Sequence, residues 1–181
     1  MKSELLKKIQ HQPGERGLPG HYPVPPHSPE LLFYMQRNLN ENTIVYEANR
    51  NNTGFVNLEL PMVAHWIQYS CGGKIKGLNY IQNKLAFGYT SDTISNELIQ
   101  FNFVSYKDRN FYIVKAEKSD NYFVSCAIDD RKCKLRNIYV YAHELGVFPD
   151  VKFIELYGEE LKTGISIFEK IIIEKWVLKN Y

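Results

Sequence analysis

Residues 31–49 read LLFYMQRNLNENTIVYEAN. Two apolar runs rich in aromatic and β-branched residues flank a polar break at Asn38–Asn42, which predicts strands over 31–37 and 43–49 joined by a turn. Side chains alternate across a strand. Arg37 therefore shares a face with Phe33 and Met35, and Glu47 shares one with Val45. Working outward, the same grain predicts strands near 62–70, 84–90, 97–106, 110–117, 121–128, 134–141 and 151–157. Breaks fall at Asn51–Gly54, Cys71–Gly73, Lys107–Asp108, Ser119–Asp120 and Asp129–Arg131. Leu78–Gln82 is left open between a helical turn and a connection. The C-terminal GISIFEKIIIEKWVLKNY predicts a last strand to about Ile173, then a short helix or tail. Many short strands at close spacing predict an all-β fold: an antiparallel barrel or closed sandwich of about eight to ten strands, lipocalin-like in architecture.

The N-terminal region has a different grain. Six of the eight prolines and three of the five histidines lie in 11–29, HQPGERGLPGHYPVPPHSP. Such a stretch makes neither a helix nor a central strand. Residues 1–30 are therefore expected to form an extended Pro/His-rich tail ahead of a single all-β domain over 31–181. Its P-x-x-P spacings, Pro23–Pro26 and Pro26–Pro29, suit a protein partner that reads polyproline, and the segment 11–29 is the expected route to one.

Composition sets outer limits. The 181 residues carry 22 basic and 20 acidic side chains, a net charge of +2, which argues against nucleic acid bound through bulk charge. No apolar run approaches the ~18 residues of a spanning helix, so no transmembrane segment is expected. MKSELLKKIQ lacks the apolar centre of a secretory signal, which predicts a cytoplasmic protein. The three cysteines, Cys71, Cys126 and Cys133, are too few and too unevenly spaced for a disulfide scaffold or a zinc site.

The familiar catalytic and phosphate-loop motifs are missing from the chain, so no catalytic residue, metal ligand or cofactor is assigned. What remains are polar and aromatic residues that interrupt apolar strand faces. Arg37 resembles an arginine fork in an aromatic-lined pocket, suited to a carboxylate or phosphate. Gln68 shares a face with Trp66 and Met62, and His65 lies on the opposite face with Val63 and Ile67. With Tyr34, Tyr46 and Tyr89, these make a candidate ligand-binding set of Tyr34, Arg37, Tyr46, His65, Trp66, Gln68 and Tyr89. The set mixes strand faces, so only part of it lines any one cavity.

Several segments together carry a resemblance: FYMQR (33–37), NTIVYEAN (42–49), AHWIQY (64–69), NYIQNKLAFGY (79–89) and VKFIELYGEE (151–160). In these the chain resembles an uncharacterised domain-of-unknown-function family of bacteria and single-celled eukaryotes, over about residues 31–170. The resemblance implies one compact domain and brings no activity, cofactor or catalytic residue. Three readings of function follow. The first is a soluble binding module whose barrel interior or mouth holds a small apolar or amphipathic ligand. The second is a protein-protein interaction or scaffold protein without a cavity. The third is an enzyme with His65 or a carboxylate such as Glu47 as general base.

Overall fold

The opening stretch folds as β1 (Leu31–Arg37) and β2 (Asn40–Ala48) in a computed structural model that describes residues 23–145 and 148–173. The chain continues through β3 (Met62–Gln68), β4 (Lys74–Gly77), a helical turn α1 (Tyr80–Gln82) running into a π-helical turn (Asn83–Phe87), and β5 (Tyr89–Ser95). Then come β6 (Leu98–Phe103), β7 (Tyr106–Lys115), β8 (Tyr122–Ile128), β9 (Arg131–Leu145), β10 (Phe148–Glu160) and β11 (Ser166–Ile172). The expected all-β fold is present. Nine strands lie side by side in the order β4-β3-β2-β1-β9-β8-β7-β6-β5, and the sheet curls into a half-barrel. All pairings are antiparallel except β1 with β9. Among the described residues no helix is long and apolar enough to cross a membrane.

The curl is organised by β9, which bonds three strands. One edge of β9 pairs β8 through Arg131–Lys134 and then β1 through Asn137–Val140. Its other edge pairs β10 along most of its length, and β10 carries β11. In the interval between β8 and β1, Gly158 pairs Leu135 while Tyr157 pairs Asn137, so Arg136 is an extra residue in the ladder. A bulge of this kind sharpens local twist. The β8–β9 turn is tight: Asp129 and Asp130 both have positive φ, as a two-residue hairpin with the right twist demands.

Some local expectations are corrected. Lys107–Asp108 lies inside β7, and the turn falls at Val104–Ser105. The strand expected over 84–90 is helical to Phe87. The Asn79 side chain caps the Gln82 N–H (2.8 Å) and the Gln82 side chain caps the Asn79 N–H (3.0 Å), which starts a helical turn that the apolar KLAF then continues. Gly88 lets the chain leave that turn at once, since a Cβ there would sit 2.0 Å from the Asn83 carbonyl oxygen. Lys74–Gly77, between the expected break at Cys71–Gly73 and the open stretch Leu78–Gln82, forms β4. At the N-terminal side, Pro25 is buried and the Gln36 amide donates to the Pro23 carbonyl (3.2 Å), so this end of the Pro-rich segment packs on β1. The remainder of that segment, residues 11–22, and the expected C-terminal helix or tail lie outside the described residues.

Aromatic side chains fill the concave side. Phe33 of β1 stacks on Tyr46 of β2 (ring centroids 4.4 Å) and meets Phe101 and Phe103 of β6 across the half-barrel at 6.3 and 6.0 Å. Phe111 and Tyr89 close on Phe101 at 5.3 and 5.8 Å. The interior is thus packed with aromatic rings.

Outside this core, Arg109 of β7 forks onto Glu169 of β11 through two 2.9 Å bonds, and the Asp129 N–H donates to the same carboxylate at 3.1 Å. Burial raises the Glu169 pKa, but the Arg109 and Asp129 donors outweigh it, holding the carboxyl below its ordinary 4.5. A folded pKa below the unfolded one stabilises the fold above pH 4.5, and that contribution is lost as pH falls through the folded value. Glu169→Gln is expected to cost about 2 kcal/mol at neutral pH and to flatten the acid limb of stability against pH. Denaturant titrations from pH 7 to pH 3 check this; an unchanged acid limb contradicts it.

Candidate functional site

The mouth of the half-barrel lies where β1 ends, β2 begins and β3 ends. Cross-strand register builds it: Arg37 pairs Asn40 at the β1–β2 turn, Ile44 pairs Trp66, and Trp66 pairs Lys76 of β4. Arg37, Asn42, Trp66 and Lys76 thereby reach one concave surface, and the helical stretch 79–87 lies across it. Tyr46 Oη donates to the Phe87 carbonyl (2.8 Å), and Trp66 Nε1 donates to Gln82 Oε1 (3.4 Å). Between these elements is a cavity of about 120 Å³, lined by Arg37, Asn42, Trp66, Gln68, Lys76, Asn79 and Gln82.

Arg37 is its central group. The guanidinium carbon lies 4.9 Å from the centre of the Trp66 ring and 5.6 Å from that of Phe87, a cation against two rings that meet edge to face. Burial lowers its pKa below the ordinary arginine value, yet an arginine stays charged in a protein. Its Nε is buried with no hydrogen-bond partner among the described residues. None of the residues lining the cavity is acidic.

The amides around it present donors. Asn42 Oδ1 accepts from the Ser70 N–H and hydroxyl, at 3.3 and 2.9 Å. Asn79 Oδ1 accepts from the Gln82 N–H, and Gln82 Oε1 from the Asn79 N–H and the Trp66 indole. Backbone N–H groups fix which end of each amide is oxygen, because an NH₂ group cannot accept from them. All three oxygens are therefore engaged, and the NH₂ groups of these side chains remain to donate. With Arg37 and Lys76, the cavity is a donor-rich, cationic recess.

Of the residues singled out from sequence, the fold brings Arg37, Trp66 and Gln68 together in this recess. Tyr46 is fully buried behind it. Tyr89 bonds the Met62 backbone, donating to its carbonyl (2.7 Å) and accepting from its N–H (2.9 Å), and so bridges β5 to β3. Tyr34 and His65 are on the convex face: Val45 pairs both of them across the sheet. Burial raises the Tyr34 pKa although Arg136 lowers it. His65 Nδ1 stands 3.8 Å from Glu47 Oε2, so Glu47 accompanies His65 on that face rather than Arg37. Asn42, Lys76, Asn79 and Gln82 were not singled out. Asn42 was within reach by parity with Ile44 and Tyr46, and the N-x-x-Q spacing of Asn79 and Gln82 is a capping signature. Cys126 and Cys133 are buried free thiols directly opposite one another in β8 and β9, and Cys71 is exposed.

No curated protein and no solved structure matches the chain. A family model does, over residues 33–170, a span that runs from the third residue of β1 into β11 and takes in every residue of the recess. By that match the chain belongs to the family described as domain of unknown function (DUF4833).

Proposed function

We propose that this domain is a binding module that seats a small anionic end group, a carboxylate or a phosphate, against Arg37 at the mouth of the half-barrel. The observation that carries the reading is a half-buried guanidinium with no acidic partner among the described residues, in a recess where the amide oxygens of Asn42, Asn79 and Gln82 are already engaged. Desolvating a charge without a partner is costly, and an arriving anion supplies that partner. An arginine fork matches the two oxygens of a carboxylate or phosphate, and Lys76 adds a second charge. Of the ligands expected from the sequence, this favours the amphipathic one, held by its charged end while the packed interior excludes its body.

Acetate and phosphate, added at constant ionic strength, are expected to raise the Tm of the protein and to shift the Trp66 indole N–H signal in NMR spectra. Arg37→Gln is expected to weaken binding of either anion at least about 10-fold, the worth of one charge-assisted fork. Equal affinity in wild type and Arg37→Gln, or no Tm response to any anion in the wild type, overturns the reading.

A further inference from the structure

The recess holds a small anion or the end group of a larger ligand, and no more. At about 120 Å³ it falls below the roughly 300 Å³ at which pockets enclose a drug-sized molecule. A ligand whose end group fits at Arg37 must lay the rest of itself on the surface beside it. The adjoining surface is β4. This strand pairs β3 on one side, and at its other edge no described strand pairs it, so its backbone groups there are unpartnered by the sheet. Such an edge is a template for an added strand. Ile75 on β4 is 67% exposed, and the helical stretch just beyond carries Tyr80, Ile81 and Leu85 at 73%, 62% and 54%. Charge around the edge has one sign: Lys74 and Lys76 on β4, Arg37 in the recess and Lys84 on the helical stretch.

We infer that the occupant is an extended peptide with a free C-terminal carboxylate, its main chain added to β4 as a further strand and its terminus seated at Arg37. The inference rests on the anion reading above and names the ligand class. Charge chooses the partner. A second copy of this chain would bring a Lys-Ile-Lys edge against its twin and set like charges across from each other, which is destabilising. An acidic peptide places carboxylates opposite Lys74 and Lys76 and apolar residues on the Ile75 side.

The test uses a fluorescein-labelled seven-residue peptide of alternating valine and glutamate ending in a free acid, followed by fluorescence anisotropy on the full chain. Three comparison peptides share its sequence: one amidated at the C-terminus, one methylated at alternate backbone nitrogens, and one amidated with an added phosphoserine. Saturable binding of the free acid, weakened at least 10-fold by amidation, by backbone methylation and by Arg37→Gln, is the expected result. Amidated or methylated peptide binding as well as the free acid, or the phosphopeptide binding best, overturns it. So does sedimentation velocity showing a dimer that Ile75→Lys dissolves, which gives the edge to a second copy. If acetate and phosphate still raise the Tm while no peptide binds, the peptide inference falls and the anion reading stands. If no anion acts, both fall.

Discussion

Phe101→Ala is expected to lower stability by about 4 kcal/mol, within the range for deleting a buried aromatic ring, the largest effect of any single truncation in this core. Phe101 is fully buried in β6 and touches rings from three directions: Phe33 of β1, Tyr89 of β5 and Phe111 of β7. Phe103, also on β6, meets the Phe101 ring edge to face at 5.6 Å. Phe101 therefore holds the β5–β7 wall against the β1–β2 wall, and its loss leaves a void that neither wall can fill without moving the other. For a domain of this size the Tm should fall by roughly 12 °C. Urea denaturation gives the free energy directly. A loss below about 1.5 kcal/mol, the range of tolerated apolar swaps, would mean that the walls collapse onto each other.

Gly158→Ala is expected to cost about 3 kcal/mol, as overpacking against backbone does. A Cβ at this position would lie 2.5 Å from the Lys134 carbonyl oxygen and 2.7 Å from Ile128 Cδ1. The first contact is main chain on β9, so relief requires moving a strand rather than turning a side chain. It falls beside the Arg136 bulge, where β9 passes from β8 to β1. Gly164→Ala is a useful control, because nothing lies near its Cβ; strain there comes only from its positive φ. Guanidinium denaturation of both variants is the check. Equal stability of Gly158→Ala and wild type would show that β9 and β10 give way freely at this crossing.

The strands that carry their own signal were legible. β1 was bounded from residues 31–37 because its apolar run, its end at Asn38 and its alternation agree, and the same holds for β8. β4 was not, because Lys-Ile-Lys-Gly has little strand preference of its own; pairing with β3 makes it a strand. At 84–90 an apolar run promised a strand, and a capping pair several residues upstream overrode it. The parallel contact of β1 with β9 joins segments about a hundred residues apart, and periodicity is blind to pairing at that range. The site divides the same way. Parity within a strand put Arg37 beside the core residues Phe33 and Met35, and Trp66 with Gln68, on one face. Tyr34 and His65 fell to the other face for the same reason. Lys76 depends on the β3–β4 pairing and was out of reach without it. The hydroxyls of Tyr46 and Tyr89 looked like ligand contacts; each instead bonds backbone inside the domain.

The partner that β1 finds on β9 also sets a timetable for synthesis. Asn38 grips Ala142 through both its backbone N–H and its carbonyl, each at 2.8 Å, across 104 positions of sequence. At roughly 5–20 residues per second, a ribosome takes about 5–20 s to make that stretch. Throughout it the β1 edge, with Leu32, Phe33 and Met35, has no β9 to meet. The first hairpin is thus the part of the nascent chain with the longest wait, and the part that a chaperone would meet first.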